Sequence, residues 1–296
     1  MHAILLSFFV AFFCLAASCG TPKNAGRDTY SASATDSLPY NMAEPSHTIF
    51  FATDELREVS GLSPTDQPGV FIAVQDEKGI LFFVDANGGG GILQKVPFKE
   101  KGDFEGVEQV GKSVFAVESK GDVFEIKKWK KDGSEPEVEK FKTPLKKEDD
   151  VEGLCFDSRR NALLLACKGN PDSATVRRIY AFDLQSKTLG EQPVFTLDPA
   201  EIDRLLTAET EGQDRWFAPS GIAVHPKTGD VFVLSSVKKR LVVLDYNTGK
   251  IKHAVQLSKQ ILPQPEGISF DPDGNLYLSS EGKKGEGLLL RFNRKF

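Results

Sequence analysis

Three glutamates stand directly before glycine at one recurring spacing: Glu105-Gly106, Glu152-Gly153 and Glu266-Gly267. Ser60-Gly61 and Ser220-Gly221 fall on the same spacing. Successive pairs lie about 45 to 47 residues apart, with one longer interval of about 68 between Glu152 and Ser220. Two residues upstream of each pair lie Glu58, Asp103, Asp150, Ala218 and Gln264. A second recurring set reads Gln75-Asp76, Glu118-Ser119, Cys167-Lys168, Ser235-Ser236 and Ser280-Glu281. If one fold brings both sets together, a single mouth collects many carboxylates and few cations. Two like charges about 6 Å apart cost roughly 3 kcal/mol at an effective dielectric near 20. Such a cluster calls for a counter-charge or for protons. Lys168, with Lys78 or Lys120, supplies part of the counter-charge. Ca²⁺ would supply more, because it binds many oxygens and takes carboxylates readily. The alternative is a carboxyl with a raised pKa, which is a general-acid candidate. Glu58, Asp103, Glu105, Asp150, Glu152 and Glu266 are therefore the candidate cation ligands. Asp76, Glu118, Lys168 and Glu281 complete the mouth. A structural role stands beside both readings: the polar residue bonds the neighbouring repeat, and glycine lets crowded strands approach.

The elements that would position these residues are short strands. Each pair opens a unit of strand, turn, strand, polar loop and strand. In the first unit the second and third strands are Phe71–Gln75 and Ile80–Asp85; in the fifth they are Leu276–Glu281 and Gly287–Phe292. A more polar fourth strand follows most copies: Leu93–Phe98, Val138–Lys142, Val194–Leu197 and Ala254–Leu257. Four strands at this period mark a propeller blade. The fifth copy lacks its fourth strand, and His47–Thr53 is free to supply it, closing the ring and removing two sheet edges. The predicted fold is all-β, a five-bladed β-propeller of four-stranded antiparallel blades. Six blades is the alternative count. The surplus in the long interval reads instead as an insertion, with helical spacing over Pro199–Glu211 and Asp198 as its cap.

Ahead of the repeats, Ala3–Ala17 is apolar and too short for a comfortable membrane span, as in a signal peptide over residues 1–18. Leu15-Ala16-Ala17-Ser18-Cys19 matches a bacterial lipobox, which makes Cys19 the lipidated residue. It departs from the usual pattern in having no Lys or Arg upstream and Ala16 where Leu is commoner. An ordinary cleaved signal is the alternative. Residues 19–45 read as a flexible tether and 46–296 as the propeller. Cys155 and Cys167 fall on a hairpin with Cys155 facing Leu164 and Cys167 facing Glu152, a register that keeps them unpaired.

Several function classes are disfavoured. A formal net charge of −5 gives no basic surface for nucleic acid. His225 falls in a turn on the opposite face, and His47 and His253 on outer strands, which argues against a His-based hydrolase. No Gly-rich phosphate loop precedes a helix, and no HExxH or CxxC occurs. Asp271–Asn275 looks like the start of a calcium loop but lacks its length and its closing Glu, so it reads as a turn.

Glu58-x-Ser60-Gly61, Asp76-Glu77-Lys78-Gly79 and the repeated Asp-x-Glu-Gly at Asp103 and Asp150 resemble the SdiA-regulated propellers. The resemblance spans about residues 46–296. It implies an exported or membrane-attached bacterial propeller and, by analogy, a bound divalent cation, calcium. The expectation is a monomeric cell-envelope protein, held to the membrane only by its lipid. It would bind an unidentified ligand or envelope protein at its acidic mouth. A Ca-dependent propeller hydrolase of the esterase, lactonase or phytase type is the competing reading. A phytase-like site would also need several Lys or Arg for phosphate.

Overall fold

The computed structural model describes residues 38–129, 135–169, 176–206, 217–282 and 285–295. The signal segment, Cys19 and most of the tether lie outside the described residues. Among the described residues the strands form five antiparallel sheets. In chain order β1 is His47–Phe50. The first blade follows as β2 (Val59–Pro64), β3 (Val70–Gln75), β4 (Gly79–Asp85) and β5 (Ile92–Lys99). The second is β6 (Phe104–Val110), β7 (Ser113–Glu118), β8 (Val123–Lys127) and β9 (Glu137–Phe141). The third is β10 (Val151–Asp157), β11 (Ala162–Cys167) and β12 (Arg177–Asp183), edged by β13 (Thr188–Leu189) and β14 (Phe195–Leu197). A short helix α1 (Pro199–Leu205) precedes the fourth blade, β15 (Pro219–Val224), β16 (Val231–Ser235), β17 (Arg240–Leu244) and β18 (Ile251–Gln256). The fifth is β19 (Pro265–Phe270), β20 (Leu276–Ser280) and β21 (Leu288–Phe292). Strand β1 pairs with β21, His47 opposite Arg291, and completes that sheet. The five inner strands touch in sequence, and β19 meets β2 to close the ring. The chain is a five-bladed propeller.

Burial follows strand position. The inner strand β19 is buried at all six residues, while the outer strand β9 is exposed along most of its length. Apolar side chains collect in five clusters among the described residues, one at each seam between adjacent blades. Phe71, Phe82, Phe104 and Phe182 are almost wholly buried in these seams. Each such side chain contributes about 2–3 kcal/mol relative to exposure.

The insertion is helical, as its spacing predicts, and Asp198 caps it by accepting from the Ala200 N–H at 2.8 Å. The described helix ends at Leu205, and the rest of the predicted stretch lies outside the described residues. Ile202 is buried in the third seam cluster, and Asp203 pairs with the buried Arg240 of the fourth blade at 2.5 Å. Packed chain starts before residue 46. Tyr40 and Met42 are buried against the fourth and fifth blades, because the Tyr40 ring meets Phe232 and Phe270 edge-on or tilted. The Tyr40 hydroxyl donates to the Gly274 carbonyl at 2.7 Å and lies 2.9 Å from His225 Nε2. Among the described residues no helix is long and apolar enough to cross a membrane.

Candidate functional site

Every inner strand breaks register at its marker residue. The ladders shift between Val59 and Leu62, Phe104 and Gly106, Val151 and Gly153, Pro219 and Gly221, and Pro265 and Ile268. Those breaks contain Ser60, Glu105, Glu152, Ser220 and Glu266. A bulge of this kind bends the strand and re-aims one side chain. It also moves Cys167 opposite Val151 instead of the expected Glu152, while Cys155 does face Leu164. Both thiols are free and buried.

The following glycines form a closed contact ring. A Cβ on Gly61 would lie 2.8 Å from Gly106 Cα, and one on Gly106 would lie 2.5 Å from Leu154 Cβ. On Gly221 it would stand 2.5 Å from the Glu266 carbonyl oxygen, and on Gly267 it would stand 2.9 Å from Leu62 Cβ. Each blade therefore admits its neighbour only because no side chain intervenes. The space left at this waist is about 10 Å³, room for about one water between the two mouths.

At the upper mouth, where the inner strands begin, the carboxylates form a funnel. Glu58 and Asp103 are exposed at the rim, Asp76, Glu105 and Asp150 are half-buried, and Glu152 and Glu266 are buried. Burial, then repulsion from Glu152 and Asp103, pushes Glu105 up to about 9. Burial, then Glu152 and Glu281, pushes Glu266 up to about 8. Glu152 rises less, to about 7, because Lys168 Nζ sits 2.7 Å from its Oε1 and opposes the effect of burial. Asp76 and Asp150 are also raised, chiefly by burial, with Glu58 repelling the first and Lys168 steadying the second. Lys168 itself is held above its ordinary value, since attraction to Glu152, Asp150 and Glu266 outweighs its burial. Asp103 is fixed by the Ser119 hydroxyl, which donates to its carboxylate.

Not every predicted residue joins this group. Glu118 faces the seam between the first two blades, where Lys99 and Lys120 pair with it. Its strand-end position did place it near the mouth, but the seam offers two ammonium groups. Ser220 fulfils the structural role, donating to the Pro265 carbonyl of the next blade at 2.9 Å. Glu281 reaches the group through its repulsion of Glu266. His225 lies in the turn after β15, at the opposite end, and burial lowers it to about 4. Its Nδ1 accepts the Lys227 and Thr228 N–H groups at 3.1 and 3.0 Å. Among the described residues no three His, Cys, Asp or Glu side chains stand together as a metal-ligand set.

The arrangement can hold protons or accept positive charge. Its oxygen donors are of the chemical kind that Ca²⁺ takes. What sequence reasoning missed is the bulge that turns each marker inward. Its only trace is the unbroken Glu/Ser-Gly pairing.

Solved structures resemble the chain in fold. Glutaminyl cyclase from Myxococcus xanthus aligns at a TM-score of 0.56 and 13% identity, over 84% of this chain and 95% of that one. The PQQ-bound aldose sugar dehydrogenase of Streptomyces coelicolor aligns at 0.51 and 12% identity, over 91% and 99%. At such identities the likeness speaks for the propeller alone. No curated protein matches the chain. The sequence profile of SdiA-regulated proteins matches residues 52–284, and the chain belongs to that family.

Proposed function

We propose that the chain is a binding propeller of the bacterial cell envelope, and that its upper mouth takes positive charge, with Ca²⁺ as the ion its oxygens suit best. One observation carries this reading: Glu105, Glu152 and Glu266 are bulged into one funnel, where Glu152 raises the other two and Glu266 also raises Glu105, with Lys168 as the cation placed among them. A cation entering the funnel exchanges with protons and removes the repulsion. Glu105 and Glu266 are the residues that release protons, Glu152 stays balanced by Lys168, and the rim acids Glu58 and Asp103 draw the ion in. The donor chemistry supports calcium, whereas the side-chain spacing gives no finished ligand set among the described residues. The lipid anchor at Cys19 and the envelope location rest on the amino-terminal sequence. The protein is proposed as a monomer that meets a ligand or envelope partner at this mouth.

Thermal denaturation with CaCl₂ or with EDTA tests the reading. An ion at a hundredfold excess over its Kd adds about 2.7 kcal/mol, a rise of several degrees in Tm. Identical melting in both solutions sinks the calcium assignment. The hydrolase reading is favoured by one feature, a protonated Glu105 at a solvent-facing mouth. Turnover of chromogenic ester, lactone or phosphate substrates that is lost in Glu105→Gln would establish it over simple binding.

A further inference from the structure

The channel's other end is a different kind of cavity. Beyond the glycine waist each inner strand presents one more inward residue, two positions after its glycine: Ser63, Glu108, Cys155, Ala223 and Ser269. Four of these are small, and three of them, Cys155, Ala223 and Ser269, line a cavity of about 320 Å³ together with Glu108. That volume lies in the range of small-molecule sites. Its walls are mostly apolar, including Phe156, Val224, Ile268, Phe270 and the turn prolines Pro226 and Pro272. The fifth residue of the column, Glu108, is the one long and charged side chain in it.

We propose that this basal mouth is a second ligand site, taking a small amine with an apolar body whose ammonium pairs with the Glu108 carboxylate. Three features select an amine. The lining contains Glu108 and Asp271 but no Lys or Arg, so its charge favours a cation. The Ser63 hydroxyl and the Phe156 backbone N–H lie near the Glu108 carboxyl, and both favour its charged form. The aromatic surface of Phe156 and Phe270 suits a cation as well as an apolar body. Asp271 is already engaged, accepting the Asn275 backbone and side-chain N–H groups at 2.8 Å each. It therefore adds field and leaves Glu108 as the direct partner.

Without a ligand, burial holds Glu108 at about 8. The other titratable groups facing it are Cys155, whose buried thiol stays neutral, and Asp271. Asp157, behind Cys155, is paired with Arg160 at 2.7 Å and bonded by Tyr246 at 2.8 Å. Binding an ammonium thus releases the Glu108 proton, and affinity rises with pH until the amine itself loses its charge.

The test is an NMR titration of the full-length protein with phenethylamine and with its neutral isostere 2-phenylethanol. The amine is expected to bind at least about tenfold more tightly, as a hydrogen bond to a charged group warrants. Glu108→Gln should erase that preference, and Glu152→Gln, at the opposite mouth, should keep it. Ala223→Leu, which fills the cavity, should abolish binding of both probes. In the wild type, amine affinity should climb between about pH 6.5 and pH 8.5. Equal affinity for the two probes, no detectable amine binding, or a preference that survives Glu108→Gln overturns the proposal. A preference lost in Glu152→Gln does so too, by moving the amine to the upper mouth.

Discussion

The two mouths are built from the same five strands and do opposite things with charge. The upper one gathers carboxylates from several blades onto bulged positions, where Glu152 raises Glu105 and Glu266 and is paired with Lys168. The basal one sets Glu108 in a mostly apolar wall, beside an Asp271 already bonded to Asn275, and burial alone raises Glu108. Between them lies the glycine ring, which leaves almost no free space. The contrast shows that a repeat fixes where a side chain points, while its column of residue types fixes the chemistry. A column of Glu and Ser gives a charge-accepting funnel. A column of small residues with one Glu gives a pocket with one anchor.

The largest expected effect comes from breaking the wall between the mouths. Gly221→Val places carbon 2.5 Å from the Glu266 carbonyl, against backbone that cannot yield. A loss of about 3 kcal/mol or more in urea denaturation is expected. A cost under about 1 kcal/mol would mean that the waist is loose and the mouths are continuous.

Next comes the shared cation. Lys168→Met leaves Glu152 buried without its partner at 2.7 Å. Because the Lys168 side chain is one-third exposed, the loss is discounted to about 1–2 kcal/mol, greater at pH 8 than at pH 6. An effect independent of pH would detach Lys168 from the funnel's charge balance.

The smallest effect is a pH slope. Glu105, Glu152 and Glu266 have folded-state values of about 9, 7 and 8, above the ordinary 4.5. The folded chain therefore binds more protons than the unfolded one between those limits. Stability from these groups is fully present below about pH 4.5 and is lost as pH rises through 7 to 9. Glu105→Gln should flatten the slope and leave the variant more stable than wild type near pH 9. Glu108→Gln should flatten it only below about pH 8, down to the ordinary carboxylate range. A wild type whose stability rises with pH over this range contradicts both assignments.

Much of this was legible in the residues. The Glu/Ser-Gly period counted the blades, His47–Thr53 was read as the closing strand, which forms over His47–Phe50, and Asp198 was read as the cap of the inserted helix. These are local signals, carried by spacing and residue type. The bulge was not legible, because a strand with one extra residue looks like any other until its partner's register is known. That single offset also explains Cys167 facing Val151. Glu118 leaves its strand end toward the seam for a related reason: besides Lys120 in the following turn, its partner Lys99 comes from the neighbouring blade, far off in the sequence. Glu108 went unnoticed, although its column of Ser63, Cys155, Ala223 and Ser269 does single it out once the blades are aligned on their glycines.

Calorimetric titration of Ca²⁺ into the protein near pH 7.5, in two buffers of different ionisation enthalpy, tests the central claim most directly. It reads how many protons leave as the ion binds. The funnel account predicts binding with release of roughly one proton or more per ion, reduced in Glu105→Gln, since metal binding to protonated ligands displaces protons. Absence of binding, or binding with no proton release, would contradict it.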